Sequence, residues 1–425
     1  MSADLPDLAR GLRGVAPLGP VEVSGPRLWW GGPLDVEGLV LASTRAVASA
    51  FAGATGSRVA FDAADAAAWF GLATRLRIAG RSPRGFAPMS GFFPGADGWV
   101  RTHANYPHHD EALRRALGSD DVPTAIRALP ALETERRVLA AGGLAVAVRE
   151  PGDLAVPSGP WIRLSHLGSA SPWTPAPGAR PLAGLRVLDL TRVLAGPSSS
   201  RLLAALGADV LRVDPPHRPD LIDQHVATGF RKRSAVADLA TEGERIHALL
   251  DEAHVALIGY RFSALARFGV DPASLRERHP HLAVVSLDAW GSLPGWEGRR
   301  GFDSLVQAAT GIARLCASDD GRPGALPVQA LDMAAGLGMA AAAIALAGSG
   351  RSGWAHLSLA ATARELLALG SPPQSVRGDV DRPLVVADSP FGRLETVAPP
   401  LAIDGERVRD AGPPTEPASS TLRWV

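Results

Sequence analysis

The residues that could do chemistry fall in a few stretches of this 425-residue chain. The turn at 191–197, TRVLAGP, sits between two apolar runs, and Asp214 closes the second run. In open α/β sheets ligands bind beyond the carboxyl ends of the strands, so this turn and Asp214 are where a ligand is to be sought. A dinucleotide fits poorly. Close approach of backbone to a pyrophosphate calls for G-x-G-x-x-G, whereas Val193 and Leu194 occupy the centre of this turn. Asp214 stands where a dehydrogenase would hold a ribose. His103, His108 and His109 lie close in sequence, but no carboxylate or Cys completes a metal-ligand spacing around them. A Ser-His-Asp hydrolase needs the elbow G-x-S-x-G, which the chain lacks. Asp35 and Asp332 each head an Ala-rich helical stretch, and by residue type alone each is an N-cap worth about 1 kcal/mol.

The elements that must position these residues follow from hydrophobic periodicity. Residues 185–190 read as a strand, the Ser198, Ser199, Ser200 cluster as the opening of an amphipathic helix, and residues 209–213 as a second strand. Together they make a parallel β-α-β unit. Strand signals continue at 255–258 and 282–287, and a helix follows Asp332. Upstream, an Ala-rich helix begins near Asp35, with a short strand in SRVAFDA and another helix in ADAAAWFGLATRL. From Gly91 the texture becomes that of a small α+β domain, with a strand at 99–104, a helix starting near His109, a helix at 132–141 and a strand at 143–149. The expected organisation is a helical segment over 1–90, the small domain over 91–165, a Pro/Gly/Ser-rich linker over 166–181, the α/β domain over 182–371, and a Pro-rich, weakly patterned tail over 372–425. Sliding the sequence along itself places Leu34-Asp35 on Leu331-Asp332, with an Ala-rich helix and then a strand after each, which suggests a duplicated element.

Composition bounds the partners. Basic and acidic residues balance at 43 each, which removes the electrostatic case for nucleic acid or an anionic membrane as main partner. Lys232 is the sole lysine. One cysteine, Cys316, allows no internal disulfide and suits a reducing compartment. No basic-then-apolar signal opens the chain, and no uninterrupted apolar run approaches the ~18 residues of a membrane span. A cytoplasmic protein is expected.

Five blocks in order carry a resemblance: PLAGLRVLDLTRVLAGPSSSRLLAALGADVLRVDPP, FRKRSAVADL, ALARFGVDPASLRERHPHLAVVSLDAWG, RRGFDSLVQAATG and LPVQALDMAAGLGMAAAAIAL. They resemble family III coenzyme A transferases, the CaiB/BaiF group. The segment from Gly91 resembles that family's small domain, which normally follows the large one and here precedes it. Residues 1–90 resemble the back part of a family large domain. The chain therefore looks like the back half of one family copy fused to the front half of another.

The resemblance implies an α/β fold, with a Rossmann-like parallel-sheet CoA-binding domain and a smaller α+β domain. It implies transfer of CoA from an acyl-CoA thioester to a carboxylic acid through an aspartyl anhydride and an enzyme-CoA thioester. No metal or redox cofactor is implied, since the CoA thioester is a substrate, and the implied assembly is a homodimer. Asp332 matches the attacking carboxylate. Val193, Leu194 and Ala195 match a loop that packs against CoA near its thioester, and Arg267 matches an arginine at the nucleotide end. Asp214 matches an acid that ends the family's second strand, which is read as adenosine-side or structural. The bland alternatives are a cap for Asp332, strand-to-helix packing for the loop, and a solvated helix face for Arg267. Asp35 is read as a cap or relic, and Arg231, Lys232 and Arg233 as a loop surface. The chain departs from the family pattern at Pro215, at Gly259-Tyr260 and at Asp288. The histidine that racemases of the family place before the acid of RRGFDSLV is Phe302 here, which favours transferase over racemase or isomerase. A dehydrogenase and a catalytically inactive relative are the remaining rivals.

Overall fold

The computed structural model describes residues 5–27, 29–171, 173–176, 178, 180–372, 382 and 384–425. Its centre is a seven-stranded sheet of β1 (Arg163–Ser169), β2 (Arg186–Leu190), β3 (Asp209–Asp214), β4 (Arg233–Val236), β5 (Val255–Ile258), β6 (Ala283–Asp288) and β7 (Arg351–Ser358), in the order β4-β3-β2-β5-β6-β7-β1. The first six pair in parallel and β1 lies antiparallel on β7. The six parallel strands have the Rossmann order, with chain direction around the sheet reversing between β2 and β5. Strands such as VALI in β5 are buried at every position because helices cover both faces, so they read as apolar runs rather than alternations.

Five helices set the site: α1 (Val36–Thr55), α2 (Pro107–Leu117), α3 (Ala195–Ala205), α4 (Asp303–Ala309) and α5 (Ala330–Gly348). Helix α5 is buried over nearly its whole length and packs on α3 and α1. The α3–α5 approach is close enough that a Cβ on Gly336 would sit 2.5 Å from the Ala195 carbonyl oxygen, so only glycine fits there. Helix α5 also has the length and hydropathy to cross a membrane, contrary to the expectation of no such run. Every residue of that apolar window is buried inside the protein, the position of a core helix.

The two helices of the suspected duplication, α1 and α5, pack against each other, and each leads into a strand followed by a further helix. The small domain is an antiparallel sheet of Phe92–Pro94, Trp99–Thr102 and Ala145–Ala147, backed by α2, Val122–Arg127 and Ala131–Ala140. The segment after 372 departs from its expected lack of pattern. Leu401–Ile403 pairs with Val59–Asp62, and Gly392–Thr396 pairs with Arg77–Ile78. These strands are short and find partners more than 300 residues upstream, which is why no local periodicity announces them. The linker is shorter than expected, since His166 to Ser169 belong to β1; Pro172, Pro177 and Ala179 lie outside the described residues.

Candidate active site

A cavity of about 400 Å³ opens beyond the carboxyl ends of β2 and β5, at the reversal of strand order. Val193, Leu194, Ala195, Arg267 and Asp332 all line it, so the fold gathers these separated positions at one site. Phe302 and, from the small domain, Tyr106, His108 and His109 complete the wall on one side.

Asp332 sits in the first turn of α5 and is 7% exposed. It is not the cap, because the helix begins at Ala330 with Gln329 as N-cap. The capping work is done from outside: Asp303, at the start of α4, accepts the backbone N–H groups of Leu331 at 3.0 Å and Asp332 at 3.1 Å. Its other oxygen accepts the Gln307 side-chain amide, whose own oxygen accepts the Leu326 N–H at 2.9 Å. Asp303 thus satisfies donors that a helix start leaves orphaned, and it fixes the turn that carries Asp332. Burial pushes Asp303 up to about 6, against the pull of those donors. Burial first, and then the Asp303 charge, push Asp332 well above the usual carboxylate range. The two titrate as a pair.

That pairing sets a pH dependence. A carboxyl whose folded-state pKa is raised contributes stability that is full below its unfolded value near 4 and is lost as pH rises through the folded value. The fold should therefore lose stability between about pH 4 and pH 6 on account of Asp303. A nucleophilic Asp332 must ionise, so activity should rise with pH. In Asp303→Asn the like charge is gone, and the acid limb of kcat/KM is expected to move down by roughly one pH unit or more. A pH–rate profile measures this, and an acid limb left in place refutes the coupling.

The loop before α3 is held under strain. Val193 has φ +73°, a left-handed conformation that costs a β-branched residue about 1–3 kcal/mol. Its N–H donates to Asp220 at 2.8 Å, and Asp220 also accepts from Arg212 at 2.9 Å and from the Tyr106 hydroxyl at 2.9 Å. Burial alone would raise Asp220, but Arg212, Arg192 and the Val193 N–H hold it below its ordinary value. Tyr106 therefore ties the small domain to the loop. Helix α3 starts at Ala195, before the Ser cluster, with no side-chain cap. The serines point inward instead: Ser198 donates to the Ala195 carbonyl at 2.9 Å, and Ser200 donates to Asp189 at 2.5 Å. An uncapped helix start facing a cavity suits an anionic or polar ligand group.

Lys232 corrects the surface reading of its basic run. It is 2% exposed, and its ammonium reaches Ser200 at 2.7 Å, the Pro197 carbonyl at 3.1 Å and Asp189 at 3.3 Å. Burial lowers it to about 8. Asp189 in turn accepts the Thr191 N–H at 3.0 Å, so the buried pair braces both ends of the cavity loop. Arg231 bonds the Ala204 carbonyl and Arg233 pairs with Asp209, and neither lines the cavity. The signal available in the sequence is the use of a single lysine among arginines: a compact ammonium with three donors matches the three acceptors Asp189, Pro197 and Ser200.

Arg267 stands exposed on the turn Ala266–Phe268 with its guanidinium 4.4 Å from the Phe268 ring centre. Asp214 lines the cavity, and both its oxygens accept from Arg212 at 2.8 Å, so a ribose hydroxyl held there would share them with the guanidinium. Pro215, Gly259, Tyr260 and Asp288 line it as well. Asp35 lies elsewhere. It caps α1 by accepting the Gly38 N–H at 2.8 Å, and it pairs with Arg27. His103 is stacked on Phe302 with ring centres 3.7 Å apart, and His109 meets the same ring edge-on at 6.1 Å. The roles of Asp303, Asp220 and Tyr106 were not read from sequence, because each acts through a partner far along the chain.

Residues 182–370 match the family model of CoA-transferase family III. A probable fatty acyl-CoA transferase of Mycobacterium tuberculosis, Rv3272, is 33% identical over 182 residues, which cover 39% of this chain and 46% of that protein. The succinate–glutarate CoA-transferase of Agrobacterium fabrum is 33% identical over 177 residues, 37% of this chain and 44% of that one. A solved CAIB/BAIF family protein from Brucella suis aligns with a TM-score of 0.39 at 27% identity, covering 51% of this chain and 65% of its own. The chain spans less than half the length of these two curated relatives. Over residues 182–370, which hold the 193–195 loop, Arg267 and Asp332, it is similar to the family III CoA-transferases.

Proposed function

We propose that the protein moves CoA from an acyl-CoA to a carboxylic acid, with Asp332 as the covalent nucleophile. The observation that carries this is the joint lining of one cavity by Asp332, the 193–195 loop and Arg267. In this reading a carboxylate oxygen of Asp332 attacks the thioester carbonyl carbon, and the C–S bond breaks to give an aspartyl anhydride and CoA thiolate. The thiolate then attacks the aspartyl carbonyl carbon and releases the first acid, leaving an Asp332–CoA thioester. The acceptor carboxylate attacks that thioester, and the thiolate finally takes the new acyl group and frees Asp332. No oxidant or metal enters this balance. A carboxylate is a weak nucleophile, so the work falls on orientation and on donors aimed at the developing oxyanion. The homodimer belongs to the same reading and is measured by sedimentation.

The rival racemase needs two acid–base groups flanking the α-carbon, one of which changes protonation near neutral pH. Phe302 stands on the cavity wall beside Asp303 and cannot move a proton. His279 and His281 are engaged elsewhere, with Asp251 and with the Leu250 carbonyl. The expected result is CoA transfer to some acid in a mixed-acceptor screen, with no exchange of the α-hydrogen of a 2-methylacyl-CoA in deuterated water. Rapid deuterium incorporation without transfer to any acid tried would reverse the choice.

A further inference from the structure

The cavity has one wall that the 182–370 segment does not supply. Helix α2 of the small domain brings His109 to it, two residues past the helix start at Pro107. The residue is 5% exposed, and its Nδ1 is buried without a hydrogen-bond partner. No ring nitrogen of His109 makes a hydrogen bond among the described residues. Its neighbours are rings: His108 at 4.1 Å, Tyr106 at 5.6 Å and Phe302 at 6.1 Å between centres. Nδ1 is shut off from solvent even with the cavity empty, so the ring atom left for a ligand oxygen is Nε2, which keeps some exposure.

Asp332 lines the same cavity. Phe302, which His109 touches edge-on, immediately precedes Asp303, and Asp303 accepts the Asp332 N–H. The small-domain imidazole and the carboxylate thus share one cavity and are linked through Phe302 and Asp303. Attack by Asp332 on a thioester develops negative charge on the carbonyl oxygen, and a neutral donor beside it stabilises that charge.

We infer that His109 is the hydrogen-bond donor to the thioester carbonyl oxygen, which makes a small-domain residue of this chain a catalytic residue of the CoA-transferase reading on which the inference rests. Burial first, and then His108, Arg300, Arg192 and Arg218, lower its pKa to about 3. It is thus neutral at ordinary pH, an N–H donor rather than a base. This is the behaviour of an imidazole kept uncharged so that it polarises a carbonyl. The same property separates it from a racemase base, which would have to accept a proton.

The test compares two CoA derivatives: acetyl-dethia-CoA, a ketone that keeps the carbonyl oxygen, and S-ethyl-CoA, which lacks it. The wild-type protein should bind the ketone about 10-fold more tightly, the size of one buried hydrogen bond. In His109→Phe, which keeps an aromatic ring in place, that preference should vanish while S-ethyl-CoA affinity is unchanged, and kcat should fall roughly 100-fold. His109→Asn, which keeps an N–H, should retain much of both. A ketone preference that survives in His109→Phe, or that is absent from the wild type, overturns the inference. Vanishing preference in a protein that transfers CoA to no acid leaves the donor standing and sinks the transferase reading instead.

Discussion

Asp332→Ala is expected to abolish CoA transfer, by roughly 10⁴-fold or more, because the other carboxylates on the cavity wall, Asp214 and Asp288, are engaged with Arg212 and His356. Its melting temperature should stay close to that of the wild type. The lost carboxyl is buried, its ionisation is opposed by burial and by Asp303, and it caps nothing, since Asp303 holds the first-turn N–H groups. Asp35→Ala should behave in the opposite way. That side chain accepts the Gly38 N–H at the head of α1 and pairs with Arg27, so its removal should cost about 1–2 kcal/mol of stability while activity stays within a few-fold. The two acids head similar helices, yet one should be read out in rate and the other in stability. Incubation with an acyl-CoA, trapping with hydroxylamine and peptide mass spectrometry should place a hydroxamate on Asp332. A hydroxamate on Asp35, or full activity in Asp332→Ala, sinks the assignment.

The parts of this protein that sequence makes legible are those whose signals are local. Strands β2, β3, β5 and β6 announce themselves as apolar runs because parallel strands are covered on both faces. The cavity loop follows from where such strands end. Asp332 is different, since its candidacy rests on resemblance, and only the fold brings it to one cavity with the 193–195 loop. The start of α3 was misplaced for a definite reason: a Ser run reads as a cap, but these hydroxyls bond Asp189 and carbonyls one turn back. Lys232 reads as surface because charged residues in a turn usually are, and burial is decided by Asp189, 43 positions away. The support of the site is likewise non-local. Tyr106 reaches Asp220 across 114 residues, and no periodicity carries that pairing.

Separated halves of the chain, residues 1–170 and 181–425, are expected to be insoluble or unfolded alone and to associate when produced together. The structure shows how much surface the two halves share. Helix α1 of the first half is almost wholly buried, with α5 of the second half as its chief neighbour. Trp161 is fully buried and donates to Thr362 at 2.9 Å. Strand β1 covers the edge of β7, so its loss would leave unpaired backbone groups along a strand that is largely buried. In the other direction, Leu401–Ile403 adds to Val59–Asp62, and Asp223 pairs with Arg81. Alone, the first half would expose the apolar face of a 20-residue helix, far beyond the scattered apolar surface a monomer tolerates. Co-expression followed by affinity capture of one half and sedimentation of the product measures the outcome. Two soluble, monomeric and stable halves that do not associate on mixing would show that they are independent units, and the cavity wall contributed by Tyr106 and His109 would then have no structural claim on the Asp332 site.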